Sequence, residues 1–176
     1  MGDEQRIFGL ASVLLQHPEK EWMEENGLKE EIALIENPLI KLLLKQFLRH
    51  LNAHSYFELC TQYSETFDFN DKTTLYLTYS LFGESPDRGK ALVKLKQEYF
   101  EAGFPLESDE LPDFLPLIFE FCAIAPEKSV QKMLMIHRKT IHQLLKELSL
   151  INSPYQMVIQ ASVQLMEKML SNQKAS

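Results

Sequence analysis

Glycine is scarce in this chain, with 6 among 176 residues, and cysteine is scarcer, with 2. The two cysteines, Cys60 and Cys122, are far apart and form no CxxC pair, which excludes a disulfide framework or a thiolate zinc site. Both fall in apolar helical patterns and read as buried free thiols. The glycines form no GxGxxG run and no P-loop, and neither GxSxG nor HExxH occurs, so the common nucleotide, nucleophile and zinc signatures are missing. Long apolar runs are lacking too. Stretches such as Leu42-Leu43-Leu44 fall far short of the roughly 20 residues that span a bilayer. Basic residues are in deficit, 18 against 25 acidic, for a net charge of −7. A phosphate backbone demands a concentrated basic surface, so no nucleic-acid partner is expected. The charge favours a basic partner instead, such as a cationic peptide, whose approach the field speeds. Met1-Gly2-Asp3-Glu4 is acidic where a secretory signal is basic, which points to a cytoplasmic protein without direct membrane insertion.

What the chain does have is helical periodicity. Ile7, Leu10, Ala11 and Leu14 form a first stripe that Pro18 closes. A short acidic segment from Lys20 to Asn26 ends at Gly27. Asn37-Pro38 is a cap followed by proline at the first helical position, ahead of Leu42, Leu43, Phe47 and Leu51. Ser55 with Glu58 forms a capping box, and its helix runs to about Phe67. Thr73 to Phe82 would also suit a strand, but no partner strand exists, so the spacing predicts a helix ending at Gly83. Pro86 opens another helix that Gly103 closes. A further helix is expected to begin at Pro112. Pro126 starts a long one with the stripe Val130, Met133, Leu134, His137, Ile141, Leu144, Leu145 and Leu148, and Pro154 starts the last. No linker or repeat divides the chain. The expectation is one all-α domain over residues 1–176, a helical bundle of about seven or eight helices.

Few residues are arranged for chemistry. His50, His54 and Glu58 are spaced by four, but Ser55 starts a new helix, so the three should not align as metal ligands. Without three or four converging ligands, a small metal-dependent hydrolase is a poor reading. His137, on an apolar stripe, reads as a core or edge histidine rather than a catalytic base. The glutamate pairs at 24–25 and 30–31 read as solvated faces. No resident cofactor or metal is expected, and no enzymatic activity. A purely structural adaptor remains a third possibility on these grounds.

Residues 84 to 121 are more informative. Arg88 shares a helix face with Leu92, Leu95 and Tyr99, and a guanidinium there needs a carboxylate or carbonyl partner. Glu110, Asp113 and Glu120 are the candidates. Such a pair can tie two helices together or mark a site, and spacing alone leaves both open. Pro116 stands four residues after Pro112, whose carbonyl it should leave free, beside the carboxylates of Glu110 and Asp113 and beside Phe114. That place could accept a partner's guanidinium or amide groups. Aromatic residues gather from Tyr76 to Phe121, mostly as core, with some suited to a groove for an amphipathic helix.

The segments RGKALVKLKQEYFEAGF and ELPDFLPLIFEF resemble the delta-subunit, or NarJ-type, assembly chaperones of respiratory nitrate reductase. These belong to the wider TorD/DmsD-like family of redox enzyme maturation proteins, chaperones that bind twin-arginine signals. The resemblance is strongest from about Phe67 to Phe121. The family commonly has histidine after Leu-Pro-Asp, where this chain has Phe114, so an apolar contact replaces an imidazole. The resemblance implies a TorD-like fold and no enzymatic activity. It implies binding of the signal-like N-terminal segment of the nitrate reductase catalytic (alpha) subunit, and help with molybdenum cofactor insertion and complex assembly. A chaperone for another molybdoenzyme, of the dimethyl sulfoxide or trimethylamine oxide reductase type, is the alternative. Asp87, Arg88, Glu110, Asp113 and Phe114 are then the expected mouth of a peptide groove, with Tyr76, Tyr79 and Tyr99 as walls. Bundles with exposed grooves can self-associate, so a homodimer is compatible with this reading.

Overall fold

A computed structural model describes residues 1–21 and 26–174 of the chain; Glu24 and Glu25 lie outside the described residues. Among the described residues there are nine α-helices: α1 Asp3–Leu14, α2 Gly27–Ala33, α3 Pro38–Asn52, α4 Tyr56–Tyr63, α5 Leu77–Phe82, α6 Asp87–Glu101, α7 Leu115–Ile124, α8 Glu127–Leu150 and α9 Gln156–Lys174. The architecture is all-α, as expected, with one helix more than the upper count. The extra one is α2. Gly27 opens it, and the segment expected before it, Lys20 to Asn26, lies mostly outside the described residues.

The caps explain most of the boundaries. Asn37 Oδ1 accepts from Leu39 N at 3.0 Å and Ile40 N at 3.1 Å, while Pro38 occupies a position whose N–H would have no intrahelical partner. Ser55 and Glu58 close a reciprocal box, with Ser55 N donating to Glu58 Oε2 at 2.7 Å and Glu58 N to Ser55 Oγ at 3.3 Å. The helix behind that box was expected to run to Phe67. It runs to Tyr63 and then widens into a π-helical turn, Ser64–Asp68, where Phe69 N reaches back five residues to Ser64 O. Gly103, at φ 86°, lets Phe104 N bond Tyr99 O at 2.9 Å and ends α6.

Helices α1 and α9, from opposite ends of the described chain, form the centre. α9 packs on α8, α3 and α1, and α7 lies along α1. Phe8 on α1 meets Phe119 on α7 at 5.4 Å between ring centres, and Ser12 Oγ donates to Pro116 O at 2.8 Å. Tyr155, just before α9, is the aromatic hub. Its ring lies 5.1 Å from Phe47, 5.9 Å from Tyr63 and 4.8 Å from Phe67. Arg138 grips Glu167 through two parallel hydrogen bonds, 2.8 and 2.7 Å, and so clamps α8 to α9. That pairing holds the Glu167 carboxyl down at about 2. Cys122 is buried, its thiol pKa pushed up by desolvation, while Cys60 is half-buried; both are free.

The hub predicts a contrast. Phe47→Ala removes a fully buried ring and should lower unfolding free energy by about 3–5 kcal/mol in urea denaturation. Phe57→Ala, at a ring 78% exposed, should change it by less than about 0.5 kcal/mol.

Candidate functional site

The two motif segments meet where α5, α6 and the turn before α7 converge. Thr73 to Tyr76, predicted as helix, is not helical. Tyr76 forms an isolated antiparallel bridge with Phe114, in which Leu77 N donates to Asp113 O at 3.1 Å and Leu115 N to Leu75 O at 2.9 Å. The strand character of this stretch is therefore real for its first half, and its partner is the residue after Leu-Pro-Asp. The same bridge delays α7. Its first residue is Leu115, not Pro112, and Pro116 sits in the first turn, where its missing N–H costs no helical bond. The Pro112 carbonyl, expected to be free, accepts the Tyr99 hydroxyl at 3.1 Å.

Asp113 lies at the heart of this joint and is completely buried. One oxygen, Oδ2, accepts from Thr78 N at 2.9 Å and Thr78 Oγ1 at 2.5 Å, and Arg88 Nη2 stands 3.6 Å away. Arg88 Nε also donates to Thr78 Oγ1 at 3.1 Å, and its guanidinium lies over the Tyr79 ring at 5.3 Å. Among the candidates Glu110, Asp113 and Glu120, Arg88 thus takes Asp113, and the pair ties α6 to the turn before α7. Thr78 was not singled out in the sequence. A hydroxyl two residues beyond the extended stretch becomes a signal only once that stretch is known to pair with Phe114.

The outward side is aromatic and acidic. The Tyr76 and Phe114 rings are stacked, 5.0 Å apart and tilted by 29°, and both are half-buried. Tyr76 Oη donates to Glu110 Oε1 at 2.9 Å. Burial, then that carboxylate, push the Tyr76 hydroxyl up to about 12. Of the eight residues expected at a groove, Tyr76, Tyr79, Arg88, Glu110, Asp113 and Phe114 come together. Two were expected at a surface and lie inside it: Asp113 and Tyr99 are buried, and they brace the site from behind. Asp87 stands apart, exposed, its carboxylate 3.4 Å from Lys90 of the same helix.

Behind the joint, His137 of α8 is buried with no hydrogen-bond partner for Nε2 among the described residues, and Asp113 Oδ1 is likewise without one. Desolvation lowers the His137 pKa to about 4, partly opposed by the Asp113 charge. The other histidines are engaged. His50 Nε2 meets Gln62 Oε1 at 2.9 Å, and His54 Nδ1 meets the His50 carbonyl at 2.8 Å. Among the described residues no cluster suits a metal ion, and no helix is long and apolar enough to cross a membrane.

The whole fold is similar to a crystal structure of a candidate redox enzyme maturation protein from Archaeoglobus fulgidus. The TM-score is 0.66 with 20% identity, and the match covers 95% of this chain and 96% of that one. The nitrate reductase delta subunit model matches residues 21–171, and the chain belongs to that family. It is 35% identical over 154 residues to a candidate nitrate reductase molybdenum cofactor assembly chaperone, NarJ, of Bacillus subtilis, covering 87% of this chain and 84% of that protein. It is 39% identical over 122 residues to the NarJ chaperone of Escherichia coli, covering 67% of this chain and about half, 51%, of that protein. These relatives are named as assembly chaperones rather than enzymes, and the chain is a chaperone of the NarJ type.

Two predictions follow from the joint. Arg88→Met leaves the buried Asp113 carboxylate without its cation and should destabilise by about 3 kcal/mol, with part of the loss recovered in Arg88→Met/Asp113→Asn. Denaturant titration of the single and double variants measures the coupling. His137 binds its proton less readily folded than unfolded, so stability should fall as pH drops from about 6.5 towards 4. The His137 share is about 3 kcal/mol between pH 7 and pH 4. His137→Phe should flatten the pH profile of unfolding by that amount.

Proposed function

We propose that this chaperone binds the signal-like N-terminal segment of the nitrate reductase catalytic subunit and assists molybdenum cofactor insertion and complex assembly. The observation that carries the reading is the stacked, half-exposed Tyr76–Phe114 pair with Glu110 bound at its edge. An aromatic step beside a carboxylate offers apolar anchorage and charge complementarity to an amphipathic, basic helix. The Arg88–Asp113–Thr78 joint holds that step rigid, so little ordering remains to be done on binding. The names of the relatives supply the client: the E. coli protein is an assembly chaperone of nitrate reductase. Phe114, standing where the family commonly carries histidine, turns a polar contact into an apolar one.

Calorimetric titration with a synthetic N-terminal peptide of the host's catalytic subunit tests this, with a signal-like peptide of another molybdoenzyme as control. Selective one-to-one binding that weakens with salt is expected. Phe114→Ala and Tyr76→Ala should each lower affinity about tenfold while the fold persists. Unchanged affinity in both variants sinks the site, and preference for the control peptide moves the chaperone to a sister system.

A further inference from the structure

Helix α8 is the longest of the described helices, and none of the roles described so far uses its outer side. In a chain of net charge −7 it carries five lysine and arginine residues against two acids. Lys128, Lys132, Lys139 and Lys146 follow one another at intervals of four, seven and seven residues, and all are exposed. At 3.6 residues per turn, those intervals set the four ammonium groups along one line about 27 Å long. The opposite side of the helix holds its buried stripe, with Met133, His137 and Ile141.

Little countercharge reaches this line. Lys132 is paired with Glu98 at 2.5 Å, whereas Lys128, Lys139 and Lys146 are in no ion pair among the described residues. Glu167 lies at the flank, but Arg138 and His142 occupy both of its oxygens. Apolar side chains stand among the lysines: Met135, Ile136 and Leu150 are exposed. An open hollow of about 600 Å³ lies beside Lys139 and Lys146, bordered by Met135. A straight, convex ridge of this make-up fits a flat anionic surface better than it fits a peptide. Ammonium groups act as point charges on phosphates, while the apolar side chains between them reach the headgroup boundary. An acidic peptide would gain from a forked donor, and the one arginine of α8, Arg138, is already spent on Glu167. An anionic plane attracts the ridge while repelling the acidic remainder of the chain, which orients the approach.

We infer that the outer ridge of α8 docks this chaperone on an anionic phospholipid surface, with Lys128, Lys139 and Lys146 on the lipid phosphates and Met135 and Leu150 at the headgroup boundary. The inference does not depend on the peptide reading of the preceding subsection. His137, on the other side of α8, backs the Asp113 joint, so a docked ridge leaves the Tyr76–Phe114 step uncovered.

The test sediments the full chain with vesicles of phosphatidylcholine alone and of phosphatidylcholine mixed with phosphatidylglycerol. Saturable binding to the anionic vesicles only, weakening as salt rises, is expected. Lys139→Gln/Lys146→Gln changes exposed positions where the fold is not at stake, and should weaken partitioning about thirtyfold. Lys45→Gln/Arg49→Gln removes the same charge from exposed positions on α3 and should leave partitioning nearly unchanged. Met135→Ser/Leu150→Ser should weaken binding while its salt dependence is kept. No binding to anionic vesicles, equal binding to neutral ones, or a loss in the α3 variant as large as in the α8 variant overturns the proposal. If a poly-glutamate peptide binds through Lys139 and Lys146 while vesicles do not, the ridge serves an acidic protein and the lipid proposal fails.

Discussion

A single buried carboxylate sets the geometry of the candidate site in this molecule. Asp113 is out of contact with water, and an ionised acid in that position is tolerable only while donors surround it. Thr78 supplies two of them and Arg88 the countercharge. To deliver these groups, α5 must begin close to Asp113 and α6 must present Arg88 inward. The turn before α7 must also stay open long enough to pair with Leu75 and Leu77. Three segments separated in sequence are thus held to one oxygen atom. The half-buried Tyr76–Phe114 step inherits its position from that arrangement.

Elements governed by near neighbours were legible in the sequence. Asn37-Pro38 and the Ser55–Glu58 box announce helix starts because a cap acts within three residues, and the structure places both where expected. The all-α class followed from apolar spacing repeated along the whole chain. The departures come from long-range contacts. Thr73 to Tyr76 has mixed propensity, and what decides it is a bridge to Phe114, far along the chain. Pro112 has every local qualification to open a helix, yet Tyr99 takes its carbonyl and the bridge takes the backbone of Asp113 and Leu115. In the site, the Arg88–Asp113 pairing could be anticipated, since an apolar helix face cannot leave a guanidinium alone. Thr78 could not, because nothing local shows that the stretch before it pairs with Phe114.

The core and the candidate site draw on different aromatics. Tyr155, Phe47, Tyr63 and Phe67 pack against one another in the interior, and Phe8 meets Phe119 between α1 and α7. Tyr76 and Phe114 are stacked at the edge and only half-buried. A ring of that kind can be exchanged for an imidazole, or the reverse, without opening a cavity in the interior. At position 114 the side chain can thus differ at the edge of the molecule while the packing beneath stays as it is. The buried charge beneath does not share this freedom.

The central pairing of α1 with α9 has a consequence for how the protein comes into being. The apolar face of α1, with Ile7, Leu10, Ala11 and Leu14, is made before the other eight described helices, and α9, which covers part of it, is made after them. Contacts so distant along the chain close slowly, and until they do the apolar surface is open to the wrong partners. The bundle thus passes through an exposed stage of its own while it is being made. That stage ends when α9 packs on α1 and closes the centre of the bundle.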